Sequence, residues 1–205
     1  MSRYRKNKIL PAILAIVVII VAVAGLIGLG RLLFVGSGSG NTAQSAEDVN
    51  EPRDALLDTS VGSSVTMNVR GPIVADENFR SFQITVTPSS RDVKTFTGYL
   101  DGVIDQESLP NNVAAYTEFV YALDKAKLTA GTQLEGDKND IRGICAVGRV
   151  TQFIISRGGE PVQTLWTSNC GGSKGSLKAN VEQLSQLFTR QIPNSPNYIS
   201  KLSIN

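Results

Sequence analysis

The chain has 205 residues, 41% of them hydrophobic, with 20 basic residues against 18 acidic ones and no histidine. Two cysteines are too few for a disulfide mini-protein, and the apolar content is too high for a wholly disordered chain. Without histidine there is no Ser-His or Cys-His catalytic pair and no histidine-ligated metal.

Residues 9–30 carry no charge. Residues 13–21 are apolar on every side, where a core helix of a globular domain would show a polar stripe. About 20 residues rising 1.5 Å each cross the hydrocarbon layer, and helix is the only single-segment structure that satisfies its own backbone there. Pro11 falls in the first turn, where a missing N–H costs little. Arg3, Arg5, Lys6 and Lys8 precede this run, and the first acids after it are Glu47 and Asp48. The positive-inside rule then predicts a cytoplasmic tail at 1–8, a transmembrane helix at 9–30 and an extracytoplasmic remainder. A cleaved signal peptide, ending near Ala43-Gln44-Ser45, is the competing reading; it asks for a shorter apolar core and a closer cleavage site. The expected location is the cell membrane, single-pass, with membrane lipid as the partner of residues 9–30.

Gly36-Ser37-Gly38-Ser39-Gly40 opens a polar stretch read as a flexible linker over 31–61. Residues 62–193 have the size of one domain, and 194–205 are a tail. Within the domain Val65, Met67 and Val69 alternate with Thr66, Asn68 and Arg70, and Phe82, Ile84 and Val86 alternate with Gln83 and Thr85. Both read as strands with one buried face. Pro88-Ser89-Ser90-Arg91 turns the chain, and residues 93–99 read as the return strand. Val113, Tyr116, Val120 and Leu123 recur at helical spacing, with Phe119 beside them, which predicts a helix over 111–127 capped by Asn111 or Asn112. Thr151, Phe153 and Ile155 alternate, Gly158-Gly159 turns, and 162–166 returns. Leu177, Val181, Leu184 and Phe188 then mark a second helix, with Ser176 as its cap, ending before Pro193. The expected fold is α+β: an antiparallel sheet of about five strands with two helices on one face, in the order β-β-β-α-β-β-α.

Cys145 and Cys170 flank the second hairpin. Antiparallel pairing brings them within a bulge of facing one another, and the oxidising side of the membrane favours a disulfide. The most unusual local sequence follows: Cys170-Gly171-Gly172-Ser173-Lys174-Gly175-Ser176. Running into a helix start, its backbone N–H groups would cradle an anion, so Gly171, Gly172, Ser173, Lys174 and Ser176 form a candidate ligand-binding turn. The P-loop pattern is not met, because Lys174 precedes Gly175. Ser173 or Ser176 with Lys174 or Lys178 would make a Ser-Lys pair only if a lysine were desolvated enough to be neutral, and the spacing S-x-x-K is absent. The acidic loop at 135–140 departs from calcium-loop spacing. No metal or cofactor is expected.

Charge divides along the chain. From Glu47 to Asp140 there are 16 acids and 8 bases; after Asp140 there are 2 acids and 7 bases. No basic stripe with interleaved aromatics suggests nucleic acid. The functional expectation is a non-enzymatic, membrane-anchored extracytoplasmic binding or structural protein with an envelope protein or polymer as partner. The alternatives are an enzyme using Ser, Lys and carboxylate groups near 170–178, or a secreted binding protein after signal cleavage.

Overall fold

The computed structural model describes residues 50–200. The predicted transmembrane helix at 9–30 lies outside the described residues, and among those described no helix is long and apolar enough to cross a membrane.

The elements are α1 (Glu51–Leu57), β1 (Ser64–Arg70), β2 (Arg80–Val86), β3 (Ser90–Thr97), β4 (Gly102–Pro110), α2 (Val113–Lys125), β5 (Val150–Arg157), β6 (Glu160–Ser168), α3 (Val181–Thr189) and α4 (Ser195–Ile199). The strands form one antiparallel sheet in the order β4-β3-β2-β1-β5-β6. The expected antiparallel α+β architecture is present, with six strands in place of about five. The additional strand is β4. Its residues are all partly or fully exposed, so it needs no apolar alternation and leaves no period-2 signature.

The alternating residues of β1, β2 and β5 direct Val65, Met67, Val69, Phe82, Ile84, Val86, Phe153 and Ile155 to one face, where all are buried. Tyr116, Phe119, Val120 and Leu123 of α2 and Leu184 and Phe188 of α3 pack on that face, and Phe119 meets Phe188 edge-on at 5.3 Å. The helix α2 starts at Asn112, whose Oδ1 accepts the Ala115 N–H at 2.9 Å. Asn111, the other candidate cap, instead donates its Nδ2 to the Thr87 carbonyl.

Two expectations are corrected. Part of the stretch read as linker is the helix α1, capped by Asn50, with Ala55 and Leu56 buried in the core and Arg53 forking onto Asp124 of α2 at 2.9 Å. The second long helix begins at Val181, not at Ser176, with Asn180 Oδ1 accepting the Gln183 N–H as its cap. Ser176 and Leu177 are held earlier, because both of their N–H groups donate to the Trp166 carbonyl, and Lys178 N–H donates to Ala130. The bonds to Trp166 hold the segment to the outer edge of β6, the bond to Ala130 holds it to the connection after α2, and the helix starts only beyond them.

The hairpin β5–β6 turns at Gly158 and Gly159, both at positive φ, the conformation a two-residue hairpin with strand-matching twist requires. A bulge near Ser156 leaves Val162 unpaired. That offset brings the ends into line, and Cys145 and Cys170 are bonded with Cα atoms 5.5 Å apart.

Candidate functional site

The sheet face opposite the helices is partly roofed by loops at one end. Trp166 and Val150 project on this side, and with Cys145, Leu134, Ile141, Ile144 and Cys170 they form a second, smaller apolar cluster. The long connection from α2 to β5 therefore lies against the sheet, and the disulfide fastens it to the exit of β6.

Between this connection, the β1–β2 connection and the β3–β4 turn lies a cleft of about 680 Å³. Its floor is set by register. Asn68 stands opposite Gln83 on β2 and Gln152 on β5, so three amides fall in one row across the middle of the sheet. Gln83 Nε2 donates to Asn68 Oδ1 at 2.9 Å, and Asn68 Nδ2 donates to Gln152 Oε1 at 3.1 Å. Each amide thereby fixes its neighbour, leaving the Gln83 oxygen and the Gln152 nitrogen at the two ends of the row. In the next row Arg70 stands opposite Ser81, and Ser81 opposite Phe96.

The walls are apolar and aromatic: Ile73, Phe79, Phe96, Tyr99, Ile141 and Val150. Phe79 and Tyr99 stack at 4.2 Å. The Tyr99 hydroxyl donates to the Val74 carbonyl at 2.7 Å and accepts the Val74 N–H at 3.1 Å, which ties the β3–β4 turn to the β1–β2 connection. That connection is tied in turn to the disulfide loop, where Ile73 N–H donates to the Ala146 carbonyl at 2.8 Å.

Arg70 joins floor to wall. Its Nη2 donates to the carbonyls of Ile141 and Ile144, and its Nε is buried with no hydrogen-bond partner. Burial pushes its pKa down from the usual guanidinium value. At the mouth, Arg142 bonds Asp140, which holds that carboxyl below its ordinary range.

The residues singled out from sequence are placed elsewhere. Gly171, Gly172, Ser173 and Lys174 sit on the exit from β6, outside the lining of the cleft. Their turn does not run into a helix start, since α3 begins at Val181. Instead the turn is knit to β6: Ser168 Oγ donates to the Ser173 carbonyl, Thr167 Oγ1 to the Lys174 carbonyl, and Ser176 Oγ accepts the Trp166 N–H at 3.1 Å. Among the described residues no cluster of three His, Cys, Asp or Glu is placed to hold a metal ion. The cleft residues carried a weak signal, amides at the polar positions of three different strands, which has meaning only once the pairing register is known.

Comparison with known protein families, with characterised proteins and with solved structures finds no match for this chain.

Proposed function

We propose that the chain is a single-pass membrane protein whose extracytoplasmic α+β domain binds a neutral, hydroxyl- and amide-bearing segment of an envelope polymer in the cleft beside Asn68. The observation that carries this reading is the amide row Gln83–Asn68–Gln152 beneath the aromatic wall of Phe79, Phe96 and Tyr99. Side-chain amides offer donors and acceptors together, which suits hydroxyl and acetamido groups. Aromatic walls take the apolar face of a pyranose ring. The amide row itself is uncharged and Arg70 is held by backbone carbonyls, so the floor suits a neutral group; the other charged residues of the lining are Asp101 and Arg142.

The test uses the full-length chain in detergent micelles titrated with N,N′,N″-triacetylchitotriose. Binding is expected to move the side-chain amide resonances of Asn68, Gln83 and Gln152, and Asn68→Ala is expected to weaken it about tenfold by releasing Gln83 and Gln152 from the two bonds that orient them. Absence of any shift at these amides, or binding unchanged in Asn68→Ala, refutes the reading. The membrane half of the proposal rests on residues 9–30 and their basic flank. Protease added to intact cells is expected to digest the domain; a domain cut only after permeabilisation inverts the topology.

A further inference from the structure

The amide row continues past the cleft. Lys94 on β3 stands opposite Gln83, and Gln106 on β4 stands opposite Lys94, so pairing carries the row to the edge of the sheet. With strands about 4.8 Å apart, Gln152, Asn68, Gln83, Lys94 and Gln106 make a track of about 19 Å on the face that the helices leave uncovered. A linear ligand held at Asn68 has one open direction along it. Beyond Gln152 the row ends at Trp166, which is buried in the cluster with Ile141 and Ile144. On the other side Lys94 and Gln106 are exposed and lie outside the lining of the cleft.

The charges on this face are not equivalent. Arg70 is held by the carbonyls of Ile141 and Ile144. Asp92, on the same face of β3, accepts Ser90 Oγ at 2.6 Å. The Lys94 side chain takes part in no ion pair or hydrogen bond among the described residues. An ammonium is a compact point charge with rotatable donors, and here the Gln83 and Gln106 amides stand on either side of it. That set suits one negative charge flanked by neutral polar groups.

We infer that Lys94 is a specificity residue for an acidic polymer: the chain that seats a neutral unit beside Asn68 carries a single negative charge on a unit that follows it toward β4, and Lys94 meets that charge. The inference rests on the reading of the cleft given above and adds to it the charge and the direction of the ligand. The polymer crosses the strands, enters under the wall at Ile141 and leaves over β3 and β4. Two strands, about 10 Å, separate Asn68 from Lys94, so one chain spans both.

Calorimetric titration of the full-length chain in detergent micelles tests it. The probes are hyaluronan tetrasaccharide, which alternates acetamido and carboxylate sugars, and the same tetrasaccharide with its carboxyls methyl-esterified. The acid is expected to bind about threefold tighter than the ester at low salt, and raised salt to remove the difference. Lys94→Gln is expected to bring the acid down to the affinity of the ester, and Lys94→Arg to keep the preference. Asn68→Ala is expected to weaken both probes alike and to leave their ratio as it is. The salt series uses the natural chain and decides the matter if a variant does not fold. Equal affinity for acid and ester, binding of neither, or a preference that survives Lys94→Gln would overturn the inference. In each of those cases, amide shifts with N,N′,N″-triacetylchitotriose would leave the reading of the cleft standing.

Discussion

The guanidinium of Arg70, on the central strand, donates from Nη2 to the carbonyl of Ile141 at 2.7 Å, and from the same nitrogen to the carbonyl of Ile144. One side chain thus anchors the connection that walls the cleft. A lysine would present a compact ammonium without the planar fork, and it would be more strongly hydrated than the guanidinium it replaces. Arg70→Lys is expected to cost about 1–3 kcal/mol in chemical denaturation. Exchange should quicken at 141–144 and ligand binding in the cleft should weaken. Unchanged exchange in that segment would show that the disulfide alone holds the wall.

The disulfide acts on the same loop by another means. Cys145 and Cys170 are 25 positions apart, and closing a loop of that size restricts the unfolded chain. The chain-entropy model gives about 3 kcal/mol for it. Replacing both cysteines with serine is expected to lower the urea midpoint by that equivalent. The amides of 141–148 should lose more protection than those of α2, because the large core between helices and sheet does not involve the sulfurs. Equal midpoints with and without the bond would mean that the apolar cluster around Trp166 holds the loop unaided.

How far the fold was legible follows from which residues needed a buried face. The strands around Val65, Phe82 and Phe153 declare themselves because every second residue is buried, and Gly158-Gly159 marks its turn through backbone conformation alone. The strand β4 stayed hidden because its half-buried positions include Asp105 and Glu107, so no apolar alternation marks them. The helix α1 stayed hidden because seven residues with only Ala55 and Leu56 buried are too short for periodicity to register. The cleft was illegible for a different reason: Asn68, Gln83 and Gln152 are ordinary polar strand residues until pairing aligns them. Leu56→Ala tests whether α1 belongs to the cooperative unit. Leu56 is fully buried, so the change is expected to cost about 2–5 kcal/mol. A loss confined to the surface range of a few tenths would return this stretch to the linker.

In the Gly-rich turn, where a Cβ at Gly171 or Gly172 would meet open space, the backbone requires glycine at Gly175. Its φ is +72°, and a Cβ there would lie 2.1 Å from the Trp166 carbonyl oxygen and 2.7 Å from the indole ring. Backbone, not ligand, sets this requirement. Gly175→Ala is expected to destabilise the fold by more than about 1 kcal/mol, since both the positive φ and the contact oppose a side chain. Lys174→Ala is expected to leave the thermal midpoint unchanged. If instead Gly175→Ala were neutral, the segment would have room to move and an anion-binding role for the turn would regain support.

Tyr116 gives the alkaline limb of stability a specific origin. The residue is 1% exposed, and its phenol pKa is raised, by burial first and by the charge of Asp58 second. With the folded value above the unfolded one, the native state holds its proton where the unfolded state has lost it. The stabilising contribution is complete below about pH 10 and is lost as pH rises beyond it. Tyr116→Phe keeps the ring in the core and removes the titration. At pH 7 the variant should lie within about 1 kcal/mol of the natural chain, and between about pH 10 and 12 it should lose less stability than the natural chain does. Denaturation curves at both ends of that range decide the matter: parallel losses in the two proteins would assign the alkaline limb to groups other than this buried phenol.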